Sequence, residues 1–232
     1  MPNRLPNRPD VAPHTVDTAA PPRPRELIVL VHGIWMHGAV MKIMAQHLSR
    51  RGFRTLTLSY DFLRCSPAGN ADVLADRLRT LDVDRLHIVA HSLGGIVTLH
   101  LLDRHPELPV DKVVLLGSPA RGSGVARQVY ANAWLRPLLG RSVEAGLLGG
   151  APDWPSGRPL GVINGSGRVG ITGLLYPPGD RSDGVVAAAE TLADEATDRV
   201  TVARSHSTML FSRTCADLVA SFVRCGRFER RT

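Results

Sequence analysis

The chain has 232 residues, 44% hydrophobic and 21% charged, with 28 basic against 21 acidic side chains and a formal charge of +7. That size and balance suit one soluble domain with a substantial core. The positive charge is nearly all arginine, Lys42 and Lys112 being the lysines, and it is dispersed without an aromatic-and-basic platform, so no nucleic-acid partner is expected.

Three cysteines, Cys65, Cys215 and Cys225, show no metal-ligand spacing and no even-numbered framework. With no apolar leader in residues 1–25 and no run of about 18 apolar residues, the expected location is cytoplasmic. The densest basic stretch is the tail Arg224, Arg227, Arg230 and Arg231, so any membrane-surface contact would be weak and made through the basic termini. The sequence does not speak to oligomeric state.

Residues 1–25, rich in proline with scattered Arg, Asp and Thr, read as a disordered or loosely docked arm. Residues 26–232 form one domain. Leu27–Val31 is a continuous apolar run, the mark of a strand buried on both faces, and ends in His32-Gly33-Ile34-Trp35. The spacing predicts a helix over 38–50, with Val40, Ile43, Met44 and Leu48 on its inner face and Gly52 closing it. A second strand spans 54–60. Beyond a loop through Cys65-Ser66-Pro67, a helix over roughly 70–81 would bury Val73, Leu74, Leu78 and Leu81. The central strand 85–91 follows, then Ser92, then a helix over 93–104 ended by His105-Pro106.

Residues 112–116 form the next buried strand, closed by Gly117-Ser118-Pro119. The segment 120–158 is too long for an ordinary connection, and its aromatic and aliphatic content fits a short helical insertion over the site, or a ragged crossover helix. Further strands are expected at 160–164 and 199–203, with a short helix at 185–193. A closing helix over 208–224 would turn Leu210, Phe211, Leu218, Val219, Phe222 and Val223 inward. Strands alternating with helices imply a mostly parallel, doubly wound α/β sheet of about six strands, helices on both faces, and ligands at the carboxyl ends of the strands.

At one such end stands Ala90-His91-Ser92-Leu93-Gly94-Gly95. An apolar strand stops at a serine flanked by small residues and a helix begins, which thrusts the hydroxyl outward beside a helix N-terminus. Ser92 is the candidate nucleophile. Its hydroxyl needs a base, and the base an orienting acid, from later strand ends. His206, in Ser205-His206-Ser207-Thr208, is the one histidine after His105 and is the candidate base. Asp183, in Asp183-Gly184-Val185-Val186, is preferred over Asp180 as the acid, because Asp180 lies in a Pro-Pro-Gly turn beside Arg181. Charge developing on a carbonyl oxygen would meet the backbone N–H groups of Leu93 and Ile34. Trp35, Tyr130 and Trp134 are the expected substrate-binding side chains. His32 reads as a structural residue of its loop, and His91 as packed behind the elbow.

Gly165-Ser166-Gly167-Arg168-Val169-Gly170 matches a dinucleotide fingerprint, but Ile171 to Pro178 is too short and proline-broken to supply the helix that motif needs. No Asp, Glu or Cys joins the pairs His87/His91 or His100/His105. No cofactor and no metal are therefore expected.

These residues resemble the alpha/beta-hydrolase superfamily, specifically its small lipase and esterase branch, and are similar to inositol-deacylase-like lipase domains. The matching pieces are Val31-His32-Gly33-Ile34, the elbow, Gly117-Ser118-Pro119, Asp183-Gly184-Val185-Val186 and Ser205-His206-Ser207, in the family's order. Two departures stand out: Ala90 replaces the first glycine of G-x-S-x-G, and the N-terminal arm has no counterpart. The resemblance implies a Ser92–Asp183–His206 triad, an oxyanion hole at Ile34 and Leu93, and cofactor-free hydrolysis of a small-molecule ester or lipid with an apolar acyl chain. A thioesterase or amidase would use the same groups, and a non-catalytic binding module could retain the fold.

Overall fold

A computed structural model describes residues 25–155, 157–167 and 182–230. The expected arm, apart from Arg25, and Asp180 lie outside them, as does the stretch after the dinucleotide-like motif. Six strands form one sheet: β1 (Glu26–Val31), β2 (Thr55–Leu58), β3 (Arg85–His91), β4 (Val110–Leu116), β5 (Leu160–Gly165) and β6 (Asp198–Val202). Their order is β2-β1-β3-β4-β5-β6, and every pairing is parallel. Because neighbouring strands end in near register (Val31 beside Ala90, His91 beside Leu116, Leu116 beside Ile163), their carboxyl ends make one ledge.

Each central strand splits its side chains between two cores, as the two-residue period requires. Leu27, Val29 and Val31 of β1, Ile88 and Ala90 of β3, and Val113 and Leu115 of β4 join one core; Ile28, Leu30, Val89, Val114 and Leu116 join the other. The first is covered by α2 (Pro67–Arg79) and α3 (Leu93–Arg104), the second by α1 (Lys42–Ser49) and α5 (Arg213–Cys225). Both faces being buried explains why these strands read as unbroken apolar runs.

The helices differ from the sequence expectations in instructive ways. α2 begins three residues early, because Ser66 Oγ accepts from Gly69 N at 3.2 Å and Pro67 takes the first helical position. Val73 and Ile43 face solvent rather than the core, being angularly off the stripes set by Leu74 and Leu78, and by Met44 and Leu48. The closing helix is broken: a 3-10 turn at Thr208–Phe211 ends where Ser212 caps α5, and this leaves Phe211 exposed. In 185–193 only a 3-10 turn forms, Ala188–Glu190. The insertion holds α4 (Gly124–Ala131), capped by Ser123 Oγ, and a kinked 3-10 segment at Arg136–Val143. Among the described residues no helix is long and apolar enough to cross a membrane. Two of the C-terminal arginines are engaged locally, Arg224 donating to the Arg51 carbonyl and Arg230 pairing with Asp198.

Candidate functional site

Ser92 sits between β3 and α3 at φ 53° and ψ −126°, a conformation L-residues rarely adopt. The turn is held by Ser92 N–H donating to Leu116 O and Gly95 N–H donating to Ser92 O, each at 3.0 Å. The small neighbours are dictated by contact. A β-carbon on Gly94 would come within 2.5 Å of the His32 carbonyl oxygen, and one on Gly95 would overlap Ser118. Leu93 opens α3, so its N–H is an orphan donor of the helix start, beside the serine.

The loop after β1 closes over the elbow. A β-carbon on Gly33 would lie 2.9 Å from Ser92 Cβ, so this glycine is required by close approach and not by an unusual backbone angle. The unusual angle belongs to Trp35, at φ 56°. His32 is structural. Its ring stacks on Tyr60 at 4.3 Å, its Nδ1–H donates to Gly33 O at 2.8 Å, and its Nε2 accepts from Tyr60 N at 3.3 Å. The Tyr60 hydroxyl donates to His32 O at 2.8 Å. Burial lowers the His32 pKa and raises that of Tyr60, so both stay neutral.

Asp183 and His206 meet as a bonded pair, Nδ1–H of the imidazole donating to Asp183 Oδ2 at 2.8 Å. The other carboxylate oxygen accepts from Val185 N at 2.9 Å and Val186 N at 2.8 Å. Gly184, at φ +95°, makes that turn possible, and His206 N–H donates to Asp183 O at 3.0 Å. Asp183 is 1% exposed. With Nδ1 protonated by this bond, Nε2 is left as the acceptor, the tautomer a general base requires. Gly117, next after β4 at φ +51°, is where the pair crosses the sheet: a β-carbon there would lie 2.6 Å from Asp183 Oδ2 and 3.1 Å from His206 Nδ1.

The sequence places His91 behind the elbow, and in the structure its ring does more than pack there. It is 0% exposed, its Nε2–H donates to the His206 carbonyl at 3.0 Å, and the two rings lie 4.5 Å apart. No sequence signal marks this contact, which joins residues 115 apart.

Ser92 opens into a cavity of about 40 Å³ walled by Ile34, Trp35, Val129, Leu139, Leu147 and Val185. Trp35 is therefore at the site, tethered by its indole N–H to Leu138 O at 2.8 Å. Tyr130 and Trp134 do not line this cavity. Tyr130 faces outward because the inner face of α4 is taken by Val125, Ala126 and Val129, and Trp134, beyond the end of α4, is 92% exposed. The exposed flank also carries Leu63, Leu135 and Leu138. Among the described residues no cluster of three His, Cys, Asp or Glu could hold a metal. A larger groove of about 610 Å³ along β6 and α5 contains none of the candidate residues.

The family model described as alpha/beta hydrolase fold matches residues 26–140. Curated relatives with local similarity include the putative carbamate hydrolases RutD of Serratia proteamaculans (strain 568), 42% identical over 80 residues, and of Pantoea ananatis (strain LMG 20103), 49% over 89. These matches cover 34% and 37% of this chain, and only 29% and 32% of the relatives. Among solved structures, the mature Bacillus licheniformis lipase BlEst2 superposes with a TM-score of 0.74 at 21% identity, over 89% of this chain and 94% of that one. The metagenomic carboxyl esterase MGS0156 gives 0.63 at 19%, over 88% and 76%. Identities this low speak to the fold. The chain has the alpha/beta-hydrolase fold, and its first half matches the family model of that name.

Proposed function

We propose that this alpha/beta hydrolase is a serine hydrolase that cleaves carboxylic esters carrying an apolar acyl group through an acyl-enzyme on Ser92. The observation that carries the reading is the buried 2.8 Å His206–Asp183 bond, set at the same ledge as a serine on a strained strand-to-helix turn. Ser92 Oγ attacks the carbonyl carbon while His206 Nε2 takes its proton. Asp183 holds the ring and stabilises the imidazolium that forms. The oxyanion is received by the N–H groups of Leu93 and Ile34, each such donor being worth roughly 10²–10³ in rate. His206 then protonates the departing alkoxide, and water, deprotonated by the same ring, releases the acid.

The apolar walls around Ser92 favour an acyl chain over a charged group. The space beside Ser92 is narrow, about 40 Å³, and the α4 flank supplies part of the apolar wall an acyl chain would lie against. A second reading, carbamate cleavage, is supported by the names of the two curated relatives and uses the same nucleophile.

The test is labelling with a fluorophosphonate probe, comparing wild type with Ser92→Ala and His206→Ala, followed by turnover of p-nitrophenyl esters of increasing chain length and of a carbamate. Labelling lost in both variants and activity favouring longer acyl chains support the proposal. Unlabelled, folded wild type would overturn it, and a sharp preference for acetate would remove the apolar acyl group. Retained turnover in Asp183→Asn with loss in Asp180→Asn would move the acid role.

A further inference from the structure

We infer that His91 is a positioning residue for His206, fixing the base against the nucleophile through its Nε2–H. The inference rests on the triad reading above and deepens it. His91 is covalently adjacent to Ser92 and reaches the main chain of His206, which lies beyond β6. One rigid side chain thus spans the two loops whose relative placement sets whether Nε2 of the base can meet Oγ of the serine.

Three observations make the ring more than filler. It donates at 3.0 Å to a carbonyl, so its Nε2 carries the proton. Its plane meets the His206 ring at 4.5 Å and 45°, bracing the ring as well as the backbone. Its Nδ1 edge lies beside Gly33, where an added β-carbon would come 3.0 Å from it, so the loop over the elbow is packed close to the ring. Nδ1 has no hydrogen-bond partner among the described residues, although it is fully buried. A histidine that served only to fill space would leave a polar atom stranded to no end; an aliphatic side chain would fill the space more favourably. The facing titratable groups are His206 and His32, and burial together with them keeps His91 neutral. It therefore adds no charge beside the base as the base becomes imidazolium.

The test compares His91→Gln, whose Nε2–H reaches about as far as the imidazole Nε2–H, with His91→Leu, which keeps bulk without a donor, and His91→Asn, whose donor falls short. In ester turnover, His91→Leu and His91→Asn should lose about 10- to 100-fold in kcat with KM held within about twofold, the scale of a misplaced catalytic group. His91→Gln should recover most of that loss. The low-field NMR signal of the His206 Nδ1 proton should move or broaden in His91→Leu and stay near its wild-type position in His91→Gln. This readout needs no turnover, so it decides the inference even if wild type fails to react with the probe, which would defeat only the serine-hydrolase reading. Should His91→Leu not fold, the Gln and Asn pair carries the comparison. A folded His91→Leu or His91→Asn with unchanged kcat and an unmoved Nδ1 proton would overturn the inference, as would a Gln variant no better than Asn.

Discussion

Replacing Gly117 with alanine separates what a glycine does for the backbone from what it does for the site. The residue sits at φ +51°, and a β-carbon there would stand 2.6 Å from Asp183 Oδ2, 3.0 Å from Met209 Cε and 3.1 Å from His206 Nδ1. Ordinary contact begins at 3.4 Å, so the carboxylate oxygen must retreat by 0.8 Å, the difference 3.4 − 2.6. That oxygen accepts the 2.8 Å bond orienting His206. Two effects follow. The left-handed backbone costs about 1–2 kcal/mol for any side chain, and a displacement near 1 Å costs on the order of 10²-fold in rate. Gly226 is the control: it lies at φ +71° with nothing within 4 Å of an added β-carbon. Gly226→Ala should lose about 1 kcal/mol in urea unfolding and keep its ester turnover. Gly117→Ala should lose at least as much stability and about 10²-fold in kcat. If it matches Gly226→Ala in stability and keeps wild-type kcat, Asp183 does not orient the base and the account of the ledge is wrong.

The strained angle of Ser92 predicts that Ser92→Gly is more stable than Ser92→Ala by about 1 kcal/mol, strain of roughly 1–3 kcal/mol being partly offset by the freer unfolded glycine chain; equal urea midpoints would mean an unstrained turn. Burial lowers the pKa values of His32, His87 and His91 below the usual 6.5. The unfolded chain therefore binds more protons, and the stability they contribute is complete above about pH 6.5 and falls as pH drops toward their depressed folded values. The slope should approach about 1.4 kcal/mol per pH unit for each histidine left neutral, and a denaturant midpoint flat from pH 7 to 5 would refute it. Val129 walls the cavity whereas Trp134 does not. Val129→Ala should raise the ratio of kcat/KM for long over short esters by about threefold or more, a methylene-scale effect, and Trp134→Ala should leave it unchanged.

The sheet was legible because both-face burial turns β1, β3 and β4 into unbroken apolar runs, and α3 because the elbow starts it and His105-Pro106 stops it. The failures have a common cause. Val73, Ile43 and Phe211 are apolar and near helical spacing, yet spacing cannot say which residues a neighbouring element covers. Trp134 fails the same way, since an aromatic in an insertion over a site reads alike whether it faces the cavity or solvent. Ser66 and Pro67 did carry a helix-start signal, a capping serine before a proline at the first position. Ser92, Asp183 and His206 stand out as candidates because each lies beyond a strand in a recognisable turn, and the structure brings Asp183 and His206 together. His91 and Gly117 could not be given their contacts, because those join residues far apart in sequence through the strand order alone.

That strand order explains why a glycine is needed beside the candidate acid. β4 lies between β3, which ends at His91 just before Ser92, and β5, which precedes Asp183 in the chain. The candidate acid and base, Asp183 and His206, lie beyond β5 and β6 and meet at the end of β4. Any side chain at the first residue beyond β4 would occupy the space where the Asp183–His206 bond lies. β4 thus contributes no candidate reacting group and yet sets the gap, with Ser92 N–H bonded to its last residue and Gly117 N–H bonded onward to Ile163. His91 closes the same gap from beneath by holding His206 O. The candidate site is thereby set by the three central strand ends, while the α4 flank supplies apolar side chains to the wall of the cavity at Ser92.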